Sequence, residues 1–177
     1  PRYGITVRTL DLRDPRALAA AIRPNTRLIF AETIANPGLD VLDLAAVAAV
    51  AAAAGVALVV DNTVATPVLV RPGDYEAALV VHSVSKYLAG HGTTIAGSLT
   101  DTGRFDWGGA RYPLLADFHR RARGLALLAA LRSQIGRDLG ACLAPLNAFL
   151  AGVGLETLAL RVERHNANAL QLAQFLA

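Results

Sequence analysis

A chain of 177 residues is long enough for one well-packed unit and short for two. With 54% hydrophobic and 18% charged residues and a mean hydropathy of +0.40, it has ample apolar surface to offset its ordering entropy, which excludes disorder. The net charge of +3 comes from scattered arginines without a long basic run, so nucleic acid is not an expected partner.

Residues 3–12 partly alternate β-branched and apolar side chains and are predicted as a short strand. Asp14 and Pro15 supply an N-cap and a first-turn proline for a helix over 16–22, which Pro24, Asn25 and Thr26 break. Residues 28–31 read as a buried strand ending at Glu32, and a loop follows over 33–39. Asp40 or Asp43 caps a helix over 41–54, and Gly55, in the left-handed conformation, ends it. Residues 56–60 form a second buried strand ending at Asp61. The apolar run 44–60 approaches the length of a membrane span, but Gly55 divides it into an Ala-rich helix and a Val-rich strand, and no membrane is expected. After a loop over 62–75, residues 77–81 form a third strand ending at His82 and Ser83, and 96–100 add a further one. Nearly all-apolar strands alternating with helices predict an α/β fold with a mostly parallel sheet covered on both faces. From Leu125 onward, apolar residues at three- and four-residue steps predict amphipathic helices, the last reaching the end of the chain.

Ligands of open α/β sheets collect beyond the carboxyl ends of the strands. Three polar clusters fall there: Glu32 with Asn36; Asp61, Asn62 and Thr63; and His82, Ser83, Ser85 and Lys86. Of the 17 basic residues only Lys86 is a lysine, and a desolvated amine, unlike a guanidinium, can lose its proton and attack a carbonyl. An Asp and a Lys on neighbouring strand ends also read as a plain ion pair. Ser83 and Ser85 flank the approach to Lys86, where hydroxyls and turn amides suit a phosphate. A cofactor with an aldehyde, a phosphate and a basic ring nitrogen needs a lysine, phosphate donors and an acid, and pyridoxal 5'-phosphate is that cofactor.

The runs Asp61-Asn62-Thr63-Val64-Ala65-Thr66-Pro67 and His82-Ser83-Val84-Ser85-Lys86-Tyr87-Leu88-Ala89-Gly90-His91-Gly92, with the Glu32 to Asn36-Pro37 segment, closely resemble the signatures of the transsulfuration, or Cys/Met-metabolism, family of fold-type I pyridoxal-phosphate enzymes. The segments around Trp107, Arg111-Tyr112-Pro113, Arg137-Asp138-Leu139-Gly140 and Gly154-Leu155-Glu156-Thr157-Leu158 are most similar to the O-acetylhomoserine sulfhydrylases of that family. The resemblance runs over essentially the whole chain and matches the middle of longer proteins. It implies a three-layer transferase-like large domain, here incomplete, over 1–153, with 154–177 starting the long helix towards a C-terminal domain. It implies Lys86 as the catalytic, cofactor-bonding lysine and Asp61 as partner of the ring nitrogen. Ser83 and Ser85 would bind phosphate, and Asn36 would approach the phenolic oxygen or the substrate carboxylate. The implied reaction is γ-replacement on O-acetyl-L-homoserine by sulfide or a thiol, giving homocysteine or methionine and acetate, in a cytoplasmic homo-oligomer, a tetramer. A γ-lyase or cystathionine synthase of the same family, or a truncated non-catalytic fragment, are the alternatives. Ser85 stands where the family commonly has Thr, Val64 where it has an aromatic residue and Ala89 where it has Gly.

The remaining candidates read as structural. His82 and His91 lack a third ligand, so no metal is expected. Cys142 is expected as a small buried hydrophobe on a helix, Trp107 as packing for a loop or interface, Arg120, Arg121 and Arg123 as a solvated face, and His165 and Asn166 as surface or interface residues. A nucleotide-binding Rossmann domain ranks last, since no Gly-x-Gly-x-x-Gly follows a strand.

Overall fold

The local capping signals set the first elements of the computed structural model, which describes residues 2–177. The Asp14 carboxylate accepts from the amides of Arg16 and Ala17 and starts α1 (Pro15–Ala21), with Pro15 in its first turn. Asp43 caps α2 (Leu44–Ala54) by accepting from Ala46 N at 3.0 Å, and Gly55 ends it at φ 60°. Asp40 does not cap a helix. Its carboxylate pairs with Arg13 at 3.0 Å, and its neighbour Val41 bridges Ile34, so the chain up to Asp43 belongs to the loop.

Among the described residues the sheet has four strands in the order β1 (Leu28–Glu32), β2 (Ala57–Asp61), β3 (Leu79–Ser83) and β4 (Gly97–Asp101). The first three run parallel and β4 pairs antiparallel with β3, so the sheet is mostly parallel. A short helix, α3 (Thr66–Leu69), and a 3-10 turn (Pro72–Tyr75) lie in the connection after β2. One face of the sheet presents Ile29, Ala31, Leu58 and Val60 to Leu18 of α1 and to Leu44, Val47, Ala48 and Ala51 of α2. The other presents Ala57, Val59 and Leu79 to Trp107 and Ala126, with Phe118 of α4 (Ala116–Ala122) and Leu127 of α5 (Ala126–Ala130) against them. These are the three layers of an α/β sandwich. A third apolar cluster lies past β3, where Val84, Leu88 and Ala89 meet Ala151, Leu158 and Val162.

Two strand expectations are corrected. Residues 3–12 form no strand: a 3-10 turn (Arg2–Gly4) leads into irregular chain with Tyr3, Ile5 and Val7 exposed. Alternation makes a strand only where a ladder accepts it, and the edge strand β1 pairs with β2 alone among the described residues. That edge position also makes β1 half exposed instead of buried, with Leu28 and Phe30 at 53% and 54% exposure. The later helices are shorter than their periodicity suggests. After α5 come a π-helical segment (Leu131–Gly136), α6 (Arg137–Leu139), α7 (Pro145–Glu156) and α8 (Leu158–Leu176). Gly140, at φ 69°, ends α6 and Pro145 opens α7. Cys142 lies exposed in the connection between these two and not within a helix core. Among the described residues no helix is long and apolar enough to cross a membrane.

Candidate active site

Side chains alternate along a strand, so Asp61 shares the face of Val59, and Ser83 shares the face of Leu79 and Val81. Val59 and Leu79 pack in the same cluster and are register partners. Asp61 and Ser83 therefore project from one face at the carboxyl ends of adjacent parallel strands, with Asp61 level with Val81. A chain of hydrogen bonds joins them to the lysine turn. The Asp61 Oδ1 accepts from Thr63 N at 2.9 Å, Thr63 Oγ1 accepts from Ser83 N at 2.8 Å, and the Ser83 carbonyl accepts from Lys86 N at 3.1 Å. The bond from Asn62 N to Val81 O at 2.9 Å keeps the parallel ladder going under this path.

Lys86 sits in the turn after β3 with its side chain exposed, and no ion pair of its ammonium occurs among the described residues. The plain Asp–Lys ion pair is thus not formed, and the amine is open to solvent instead of desolvated as expected. Ser83 is half-buried, and its hydroxyl has no hydrogen-bond partner among the described residues. Ser85 differs: its hydroxyl accepts from Ala96 N at 2.9 Å and donates to Ala96 O at 3.2 Å, tying the lysine turn to the start of β4. Asn36 lies exposed in the loop beyond β1, its amide N–H donating to Glu32 Oε2 at 3.0 Å, while Thr33 N donates to Asp61 O at 3.0 Å. The loop that carries Asn36 is anchored on the strand that carries Asp61.

Beneath this face His82 is buried at 7% exposure beside Asn62. Asn62 Nδ2 donates to Val70 O at 2.8 Å and lies 3.3 Å from His82 Nε2, which must then accept. Burial pushes the His82 pKa below its ordinary 6.5, against the opposing pull of the Asp61 charge. Burial outweighs that pull and favours neutral His82, which leaves the Asp61 charge uncompensated. His91 donates to or accepts nothing beyond its 2.7 Å contact with Ala89 O among the described residues, and no cluster of three metal-ligating side chains occurs there. The sequence places Asn62 and Thr63 in the Asp61 cluster without a role for either; the structure makes Thr63 the bridge between the two strand ends and Asn62 the partner of His82.

A half-buried carboxylate, a hydroxyl without a partner among the described residues and an exposed amine thus lie at one sheet end, and an acid, a phosphate donor and a nucleophile are the groups that pyridoxal 5'-phosphate calls for. The family model for Cys/Met metabolism PLP-dependent enzymes matches residues 1–177. Over 99% of this chain, the O-acetyl-L-homoserine sulfhydrylase of Leptospira meyeri is 42% identical and the homocysteine synthase of Schizosaccharomyces pombe 44% identical. The chain spans 44% of the length of each of these curated relatives. Among solved structures, the O-acetylhomoserine sulfhydrylase of Wolinella succinogenes superposes with a TM-score of 0.90 at 41% identity, covering 98% of this chain and 49% of that one. A Campylobacter jejuni structure that contains N'-pyridoxyl-lysine-5'-monophosphate superposes equally well, at 0.90 and 34% identity, over 98% of this chain and 46% of that one. From its sandwich fold, its strand-end residues and these matches along its full length, the chain belongs to the Cys/Met metabolism family of PLP-dependent enzymes.

Proposed function

We propose that this chain is part of an enzyme that exchanges the acetoxy group on the γ-carbon of O-acetyl-L-homoserine for sulfide or a thiol, giving homocysteine or methionine and acetate. The observation that carries the reading is the hydrogen-bonded path from Asp61 through Thr63 and Ser83 to Lys86, which holds an acid and an amine at one sheet end. The names of the sulfhydrylase and homocysteine synthase relatives support the choice of substrate. Residues 1–153 would supply part of the cofactor domain and 154–177 the start of the helix leading to a C-terminal domain. We extend the proposal to a cytoplasmic homotetramer.

When bound, pyridoxal 5'-phosphate supplies an aldehyde and a protonated ring that accepts electrons from the substrate α-carbon. Lys86 would hold the aldehyde carbon at rest. Once free, its Nζ would take the proton from the substrate α-carbon and then one from the β-carbon, and would return them after acetate has left and sulfur has entered. Asp61 would keep the proton on the ring nitrogen, and its charge is free for this because His82 stays neutral. The Ser83 hydroxyl would donate to the phosphate. Ser85 would donate beside it, which requires its hydroxyl to release Ala96 O. Asn36 would donate to the phenolic oxygen or bind the substrate carboxylate. The test is to mix the intact protein with O-acetylhomoserine and sulfide: homocysteine and acetate are the expected products, whereas 2-oxobutanoate with ammonia would mark elimination. Lys86→Arg should abolish turnover, because a guanidinium does not give up its proton near neutral pH.

A further inference from the structure

Beyond the strand ends, a guanidinium from the last helix reaches the backbone of the lysine turn. We propose that Arg161 is a positioning residue for Lys86, a role that rests on the function proposed above. Arg161 lies on the first turns of α8. Its Nη1 donates to Tyr87 O at 2.8 Å and its Nη2 to Leu88 O at 3.2 Å, the carbonyls of the two residues that follow Lys86. The same guanidinium donates to Gly154 O at 2.7 Å, near the end of α7, and its Nε to Thr157 Oγ1 at 3.1 Å. One planar fork thus joins the lysine turn to the junction of two helices. Within the turn, Ser83 O, Val84 O and Lys86 O already accept from Lys86 N, Ala89 N and Gly90 N, and Arg161 satisfies two of the carbonyls that those bonds leave over, Tyr87 O and Leu88 O.

Two glycines make room for this contact. Gly90 sits at φ 74°, and a Cβ there would fall on the Arg161 guanidinium. A Cβ on Gly154 would fall on the Ala89 backbone, so α7 reaches the turn only because residue 154 has no side chain. Val84, Leu88 and Ala89 pack on Ala151, Leu158 and Val162, and Tyr87 meets His165 edge-on with ring centroids 5.8 Å apart. The turn is held from below by α7 and α8 while the Lys86 side chain stays exposed. An amine on a turn fixed in this way meets its carbonyl at a high effective concentration, and a loosened turn spreads it over unproductive positions.

The experiment follows trapping of Lys86 in the intact protein: pyridoxal 5'-phosphate is added, borohydride reduces the adduct after timed intervals, and the label on Lys86 is counted. Arg161→Ala should slow labelling roughly tenfold or more, with kcat falling in step, as expected for the loss of charge-assisted bonds to the turn. Methylguanidine should restore much of the rate, which a simple packing defect would not allow. Where Arg161→Ala does not fold, Thr157→Val removes only the bond to Nε and should slow labelling about two- to fivefold. Labelling at the wild-type rate in either folded variant, or no rescue by methylguanidine, would overturn the positioning role. If the wild-type protein takes no label at Lys86, the proposed function fails instead.

Discussion

Lys86 is placed by its backbone. The amide of Lys86 donates to Ser83 O, the amide of Ser83 donates to the Thr63 hydroxyl, and the amide of Thr63 donates to Asp61, so the relation between amine and acid is set by peptide groups and one threonine oxygen. Thr63→Val keeps the shape but strands the half-buried Ser83 N–H, and the expected loss is about 1–3 kcal/mol of unfolding free energy, with Thr63→Ser close to wild type. Urea denaturation of the three proteins measures it; equal midpoints would show that water replaces the hydroxyl without cost. His82 gives the second expectation at this scale. Its pKa in the folded chain lies below the ordinary 6.5, so below that pH the unfolded chain binds a proton that the folded chain refuses. Stability from this group is complete above about pH 6.5 and declines as the pH falls from there towards the lowered folded value. A thermal melting series from pH 8 to pH 5 should show this acid slope, and His82→Gln should flatten it; profiles that run parallel would assign the slope to other groups.

Among the elements, α7 carries two glycines two residues apart with opposite consequences. Gly152 has open space where a Cβ would go, whereas Gly154 lies against the Ala89 backbone. Gly152→Ala should stabilise the protein by up to about 1 kcal/mol through helix propensity. Gly154→Ala should destabilise it by about 1–3 kcal/mol as α7 is pushed off the lysine turn. Differential scanning calorimetry of the pair decides, and a Gly154→Ala protein as stable as wild type would mean that α7 moves freely. The same contrast explains which parts of the fold the sequence reveals. The caps Asp14 and Asp43, the stop at Gly55 and the polar strand ends are local, so their chemistry can be read within a few residues. Residues 3–12 have a strand's pattern but pair with no strand among the described residues, and that depends on what lies beside β1. The Arg161 contacts span 73 and 74 residues, and no short motif announces them. The placement of Asp61, Ser83 and Lys86 at one sheet end is legible from their strand-end positions, while the engagement of Ser85 with Ala96 depends on where β4 returns.

Across the whole molecule the two ends of the sheet are built for different tasks. At the carboxyl ends the Ser83 hydroxyl and the Lys86 ammonium have no partner among the described residues, as the proposed binding and chemistry require. The amino ends are closed by side chains from the segment before α4. Arg111 donates to the carbonyls of Pro24, Thr26 and Ala54, the Thr26 bond being 2.7 Å. The Tyr112 hydroxyl accepts from Ala57 N and donates to Arg27 O, both at 2.8 Å, so it links the entrances of β1 and β2. Its ring packs edge-on against Trp107 and Phe105 at 5.3 Å, and Trp107 Nε1 donates to Asp101 Oδ2 at 3.1 Å, which carries the clamp across to β4. Burial pushes the Tyr112 pKa up, which keeps its proton available for Arg27 O. Tyr112→Phe removes both bonds and leaves the packing, so it should cost about 1–3 kcal/mol in unfolding free energy. Because the loss falls at the amino ends of the strands, labelling of Lys86 by pyridoxal 5'-phosphate and kcat of the intact protein should stay at the wild-type level. Denaturant melts set beside both activity measurements test this separation: a Tyr112→Phe protein that keeps its stability but loses labelling would mean that the sheet transmits strain from one end to the other, and that the clamp belongs to the active site after all.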